Sequence, residues 1–277
     1  MAATAASAVG EALGAATDAL AAAGVDSPRL DAEILLAEAS GRDRAALAAD
    51  PDAAVDPAAG REFGAMVRRR LRREPVAYIL GRKGFRRIEL RVDPRVLIPR
   101  PETELLIEVA VELAPATVLD VGTGSGAVAL AIADETGARV TATDTSAPAL
   151  DVARANAQAL GIADRVEFFA GTLQGGRYDL IVANLPYVSE REWASLAPEI
   201  RDHEPRPALV SGATGLEAFE ELLTALAPAG VEAGAAALEV GAGQAGGVSG
   251  LVEAAGFGRV ERRRDLAGIE RVVVGRR

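Results

Sequence analysis

The 277-residue sequence predicts an α/β protein: a mostly parallel, doubly wound sheet preceded by a small bundle of helices. Two observations carry that expectation. From Pro99 onward, short apolar runs alternate with helical stretches, and one of those runs ends in a glycine-rich turn. Before residue 76, apolar residues recur instead at helical spacing, as in Leu30, Ile34, Leu35 and then Phe63, Met66, Val67, Leu71.

Residues 1–75 read as short helices broken at Gly24, Gly41, Asp50-Pro51 and Asp56-Pro57. Residues 76–98 read as a β-hairpin linker, with strand candidates at Val76–Leu80 and Ile88–Val92 around Gly81 and Gly84. Residues 99–277 alternate strand and helix: Thr117–Val121, helix Ala127–Glu135, Arg139–Thr143, helix Ala147–Leu160, Val166–Phe169 and Tyr178–Ala183. Helix Leu216–Leu226, strand Ala236–Val240 and helix Val248–Ala255 follow, before Gly258–Arg262 and Glu270–Val274. Such alternation gives a parallel sheet covered on both faces. The Asp265–Gly268 loop is too short for a crossover helix, so the last two strands pair antiparallel. A seven-stranded sheet with one reversed strand is the methyltransferase variant of the doubly wound fold.

Composition narrows the chemistry. The chain has no Cys and a single His, His203, which disfavours thiolate catalysis, His-based metal sites and a Ser-His triad. No apolar run is long enough for a membrane span and no basic segment precedes an apolar one, so a cytoplasmic protein is expected. A net charge of −10 argues against broad nucleic-acid binding, and a monomer is expected. The charge is uneven: residues 61–100 carry 13 Lys plus Arg against 4 Asp plus Glu. The Arg68–Arg73 run there reads as a solvated helix face, with a docking stripe for a phosphate-rich or acidic partner as the sharper alternative.

The turn Gly122-Thr123-Gly124-Ser125-Gly126 runs from a buried strand into a helix. Its spacing is Gly-x-Gly-x-Gly rather than the Gly-x-Gly-x-x-Gly of dinucleotide pyrophosphate sites. Asp144 closes the second strand 18 residues past Gly126, where a carboxylate can accept from two ribose hydroxyls. An adenosine with an amino-acid tail fits this pair better than a dinucleotide.

Asn184-Leu185-Pro186-Tyr187 ends another apolar strand. An Asn in a Pro-stiffened turn can accept an amide N–H on its side-chain carbonyl, and the Leu185 main-chain carbonyl can accept a second. Tyr187 would wall such a site. Glycine loop, Asp144, Thr172-Leu173 and Asn184–Tyr187 all follow strands in the sense that brings them to one end of the sheet.

The chain resembles the bacterial HemK/PrmC family, glutamine N(5)-methyltransferases that modify peptide chain release factors. The resemblance rests on Arg73-Glu74-Pro75-Val76-Ala77-Tyr78-Ile79-Leu80-Gly81 and on Leu97-Ile98-Pro99-Arg100-Pro101-Glu102-Thr103-Glu104. It extends through the glycine loop, His203-Glu204-Pro205-Arg206-Pro207-Ala208-Leu209, Glu239-Val240-Gly241 and Asp265-Leu266-Ala267-Gly268. It implies a Rossmann-like class I S-adenosylmethionine-dependent fold, with S-adenosyl-L-methionine held by Gly122–Gly126, Asp144, Thr172, Leu173 and Asn184. It also implies that Asn184, Leu185, Pro186 and Tyr187 hold the glutamine of a Gly-Gly-Gln loop, and that the N-terminal helices dock the release factor. Thr103 and Glu104 are similar to residues at the cofactor entrance, although Thr103 could equally cap a helix.

Two positions depart from the family pattern. Leu185 stands where Pro is usual, and Thr172 where Asp is usual. Asn-Leu-Pro-Tyr also occurs in rRNA adenine dimethyltransferases, which keeps nucleobase methylation as an alternative. Methylation of a ribosomal-protein glutamine and a non-catalytic release-factor binder are two more. No dedicated general base is evident, so the proton lost after transfer is expected to pass to water.

Overall fold

The structure, a computed structural model, describes residues 7–277. Its contacts divide the chain into two compact units, one running up to Gly81 and including Pro198–His203, the other made of Arg82–Ala197 and Glu204–Arg277.

The first unit is helical: α1 Val9–Ala22, α2 Pro28–Ser40, α3 Arg44–Ala49, α4 Pro57–Leu71 and α5 Val76–Leu80. Pro28 and Pro57 occupy first helical positions, where a missing N–H costs nothing, and the Asp43 and Asp56 side chains accept main-chain N–H groups as caps. Leu13, Leu20, Leu35, Leu36 and Phe63 fill one core.

The strand expected at Val76–Leu80 is instead α5. Five apolar residues suit either state, and the flanks decide: Pro75 accepts from the Ile79 N–H at 3.0 Å, and Gly81 closes the turn at φ 72°. The Arg68–Arg73 run is also corrected, since most of it is neither a solvated face nor a free stripe. Arg70 is buried and donates to Asp31 at 2.7 Å and to Glu199 at 2.8 Å. Arg73 donates to the other Glu199 oxygen at 2.7 Å, and Arg69 binds Glu74. Only Arg68 and Arg72 of the run are exposed.

The second unit begins with a hairpin, β1 Arg82–Phe85 and β2 Ile88–Arg91, whose Phe85, Ile88 and Leu90 are buried in this unit's own core. A 3₁₀ turn at Pro101–Thr103 leads into α6, Glu104–Leu113. The main sheet then builds from β3 Thr117–Val121, α7 Ala127–Thr136, β4 Arg139–Asp144, α8 Ala147–Leu160, β5 Val166–Ala170 and β6 Gly176–Ala183. After the short α9 (Pro198–Arg201) come α10 Glu217–Ala225, β7 Val231–Glu239, α11 Ala245–Ala254, β8 Arg259–Arg264 and β9 Glu270–Arg276.

Strand order is β5-β4-β3-β6-β7-β9-β8, and β9 alone runs against its neighbours, as the sequence predicts. Alternation along the central strands explains the two layers. Val118, Leu180 and Val182 face a core with Leu106, Ile107 and Leu130, whereas Leu119, Val121 and Ile181 face one with Phe219, Leu222 and Phe257. Among the described residues no helix is long and apolar enough to cross a membrane.

Candidate active site

The first turn of the site is shaped by glycine. Gly122 and Gly126 have φ of 74° and 83°, a region costly for any residue with a Cβ. A Cβ on Gly126 would also lie 2.9 Å from Leu130 Cδ1 of α7 and 3.3 Å from Ala153 Cβ of α8, so glycine is needed where α7 starts beside α8. Asn156, buried within α8, pins this loop: its Nδ2 donates to the Ser125 carbonyl at 2.9 Å, and its amide exchanges hydrogen bonds with the Arg91 main chain.

Beyond the strand ends lies a cleft of about 360 Å³. Gly122, Thr123, Gly124, Ser125, Asp144, Thr172, Asn184, Leu185 and Pro186 all line it. Three expected residues do not. Gly126 caps the start of α7 and meets Leu130 and Ala153, while Leu173 and Tyr187, both half-buried, pack against the core of Phe219 and Leu222 rather than along the cleft. Residues outside the expected set also contribute, among them Val96, Leu97 and Pro207.

The polar groups fit an adenosine with a cationic tail. Asp144 accepts from the Gly124 N–H and the Ser146 N–H, each at 2.8 Å and on different oxygens. Each carboxylate oxygen keeps a lone pair, which suits a vicinal diol. Asp120 Oδ2 and Thr123 Oγ1 are buried with no hydrogen-bond partner, and both residues line the cleft. Burial pushes the Asp120 carboxyl up to about 7, a bias that a bound cation would reverse.

At the other end of the cleft, Leu185 adjoins the glycine loop: a Cβ on Gly122 would lie 3.5 Å from Leu185 Cδ2 and 3.9 Å from the Asn184 carbonyl. Asn184 Nδ2 donates to Thr103 Oγ1 at 3.1 Å. Thr103 therefore lines the cleft instead of capping α6, where its side chain makes no cap bond. Glu104 does not line it, and accepts from the Arg86 N–H at 3.2 Å.

The string around Thr103 is tied down as well. Glu204 accepts from the Ile98 N–H at 3.0 Å and pairs with Arg100. Gln244 holds the Asn-Leu-Pro-Tyr loop from behind, donating to the Tyr187 carbonyl at 2.8 Å while its own carbonyl accepts from the Gly241 N–H at 2.9 Å. Burial and the nearby Glu239 push the Tyr187 hydroxyl up to about 12, so the phenol stays neutral.

The PrmC N-terminal domain matches residues 11–81, and a methyltransferase domain matches residues 118–203. The release factor glutamine methyltransferase of Cereibacter sphaeroides is 44% identical over 273 residues, covering 96% of this chain and 97% of that protein. The chain belongs to the release factor glutamine methyltransferase family. The member from Caulobacter vibrioides is 38% identical and covers 94% of this chain and 93% of its own length. Solved structures share the fold at lower identity. The human methyltransferase 10 domain containing protein superposes with a TM-score of 0.51 at 14% identity, covering 68% of this chain and 87% of that one. The hMettl16 catalytic domain, in complex with MAT2A 3'UTR hairpin 1, gives 0.57 at 14% identity over 73% of this chain and 78% of its own. As a member of the release factor glutamine methyltransferase family, the chain has a class I methyltransferase fold that uses S-adenosylmethionine as methyl donor.

Proposed function

We propose that this protein methylates the side-chain amide nitrogen of the glutamine in the Gly-Gly-Gln loop of peptide chain release factors. The observation that carries the reading is the Asn184–Thr103 bond. With its NH2 group donated to Thr103, Asn184 turns its carbonyl oxygen outward, and that oxygen can only accept. An incoming carboxamide NH2 has two hydrogens to give: one suits Asn184 Oδ1 and the other the Leu185 carbonyl.

Bound S-adenosylmethionine supplies an electrophilic methyl group. A carboxamide nitrogen is a weak nucleophile because its lone pair is delocalised, so the protein's task is alignment and charge stabilisation. Two acceptors fixed on the nitrogen's hydrogens hold the amide in one orientation and become better partners as positive charge develops there. Gly122–Ser125 admit the donor's tail, Asp144 takes its ribose, and Thr172 lies by the cleft where a weaker hydrogen-bonding group replaces a carboxylate. Leu185, where the family has Pro, is 8% exposed and wedged into the core, which supplies by packing the rigidity that a ring would supply covalently.

The helical unit docks the release factor in this reading, supported by its match to the PrmC N-terminal domain. The protein works as a monomer in the cytoplasm. The test is transfer of labelled methyl from S-adenosylmethionine to a release factor and to its Gln→Ala loop variant. Label on the wild-type factor alone supports the reading. Label on RNA instead would move the substrate to a nucleobase, and no cofactor binding would leave a non-catalytic binder.

A further inference from the structure

Among the described residues four large apolar side chains stand exposed: Leu30, Val111, Leu266 and Ile269. Two of the four lie on one turn, the connection between β8 and β9, and Leu266 there is fully exposed. The turn is nonetheless tightly bonded. Asp265 Oδ1 accepts from the Ala267 and Ile269 N–H groups, each at 2.9 Å, and Asp265 Oδ2 accepts from Arg271 Nε at 3.0 Å. The Asp265 N–H donates to the Ile269 carbonyl at 2.9 Å, and Gly268 supplies the one left-handed position, at φ 80°. A leucine held this way in water adds nothing to the core, but it is an anchor whose main chain is already ordered before a partner arrives.

Sheet register puts this turn beside the amide site. Ala183 pairs with Leu238, Glu239 with Val272, and Val272 with Arg263, so Asn184, Glu239, Val272 and Arg263 stand level at the carboxyl end of the sheet. The Asp265–Ile269 turn continues beyond that level, two to three strand spacings from Asn184, about 10–15 Å to the side. Gly122–Ser125 and Asp144 follow β3 and β4, so the cofactor lies to one side of Asn184 and the β8–β9 turn to the other. An ordinary protein–protein interface covers about 800 Å² on each partner, a patch about 30 Å across. A folded protein whose glutamine reaches Asn184 therefore covers Leu266 as well. The segment also has a charge of its own: residues 259–277 carry seven Arg against Glu261, Asp265 and Glu270, in a chain of net charge −10. An acidic surface complements it.

We propose that Leu266 is a docking residue for the protein substrate, seated in an apolar pocket with acidic edges on the release factor, beside its Gly-Gly-Gln loop. This rests on the function proposed above and adds a contact outside the cleft that selects a folded protein over a free amide. Leu266 binds and does not take part in methyl transfer, so its loss weakens capture of the factor and leaves the chemical step as it was.

The test uses the full-length protein, labelled S-adenosylmethionine and purified release factor, with kcat and KM measured separately, cofactor Kd by calorimetry and molar mass by light scattering. Leu266→Ser is expected to raise release-factor KM about tenfold or more, the effect of taking one buried leucine out of an interface. Its kcat and cofactor Kd stay within about twofold of wild type, and its mass is unchanged. Leu266→Met, which keeps an apolar side chain of similar volume, stays within about threefold of wild-type KM. Val111→Ser is the control: Val111 is 47% exposed near the end of α6 that leads to the amino end of β3, and its substitution leaves KM as it is. Wild-type KM in Leu266→Ser, a fall in kcat with KM unchanged, or an equal rise in Val111→Ser would each overturn the proposal. So would a wild-type dimer that Leu266→Ser converts to monomer, which would make the turn a contact between copies of this chain. No transfer by the wild-type protein would overturn the function proposed above, whereas normal transfer with an indifferent Leu266 overturns this proposal alone.

Discussion

Thr103 and Asn184 are 81 residues apart in sequence and joined side chain to side chain by a 3.1 Å hydrogen bond. Thr103 ends a 3₁₀ turn before the first strand of the main sheet; Asn184 follows the fourth in chain order, β6. With its NH2 given to Thr103, Asn184 keeps its side-chain oxygen as an acceptor, and Asn184 lines the cleft.

Asn184→Ala removes that acceptor while leaving the glycine loop and Asp144 in place. We expect kcat to fall about 10²- to 10³-fold, the usual cost of losing one preorganised polar contact to a transition state. Cofactor affinity measured by calorimetry should change by less than about threefold. Turnover equal to wild type would remove Asn184 from the mechanism.

Cofactor binding should be linked to protons, through Asp120. Its carboxyl is raised to about 7 by burial, so near neutrality part of the population is protonated. A cationic ligand group prefers the carboxylate, hence binding releases a proton and affinity rises with pH through about 7. Titration calorimetry near pH 6.5, in two buffers that differ in ionisation enthalpy, would measure the release; heats independent of buffer would contradict it.

Arg70→Ala should cost about 3–5 kcal/mol of stability, because it strands Asp31 as an unpaired carboxylate in a buried place and leaves Glu199 with Arg73 alone. Urea unfolding followed by circular dichroism gives the value. Exposed Arg68→Ala, with no buried partner to strand, should cost less than about 0.5 kcal/mol. Equal losses from the two would show the buried pairs to be unimportant.

The sequence made the sheet legible because buried strands and glycine-closed helices repeat with a period that each residue supports locally. The glycine loop, Asp144 and Asn184 were legible for the same reason: each follows a strand, and the topology brings them together. Val76–Leu80 was not, since its apolar run is compatible with strand or helix until Pro75 and Gly81 are seen as caps. Asn156 and Gln244 escaped for a different reason, as did the hydrogen-bond partners of Thr103 and Glu204, residues that the family strings already contained. The Asn156 partner Arg91 lies 65 residues away, the Glu204 partner Ile98 lies 106 away, and no local period marks such pairs. An apolar helix face interrupted by one Asn, as at Asn156 among Val152, Ala153 and Ala157, is the nearest thing to a sequence signal. The arginine run misled because charge density says nothing about where the opposite charges lie; Glu199 comes 129 residues after Arg70.

Glu199 has a consequence for how the chain can be divided. It belongs to Pro198–His203, a stretch that lies far downstream in the sequence yet is part of the helical unit and supplies the counter-charge for Arg70 and Arg73. A fragment ending at Gly81 would lose that carboxylate and keep both cations. Chimaeras that exchange the N-terminal helices between relatives would therefore need to transplant two segments together, and the genetic boundary of this unit does not coincide with any single cut in the gene.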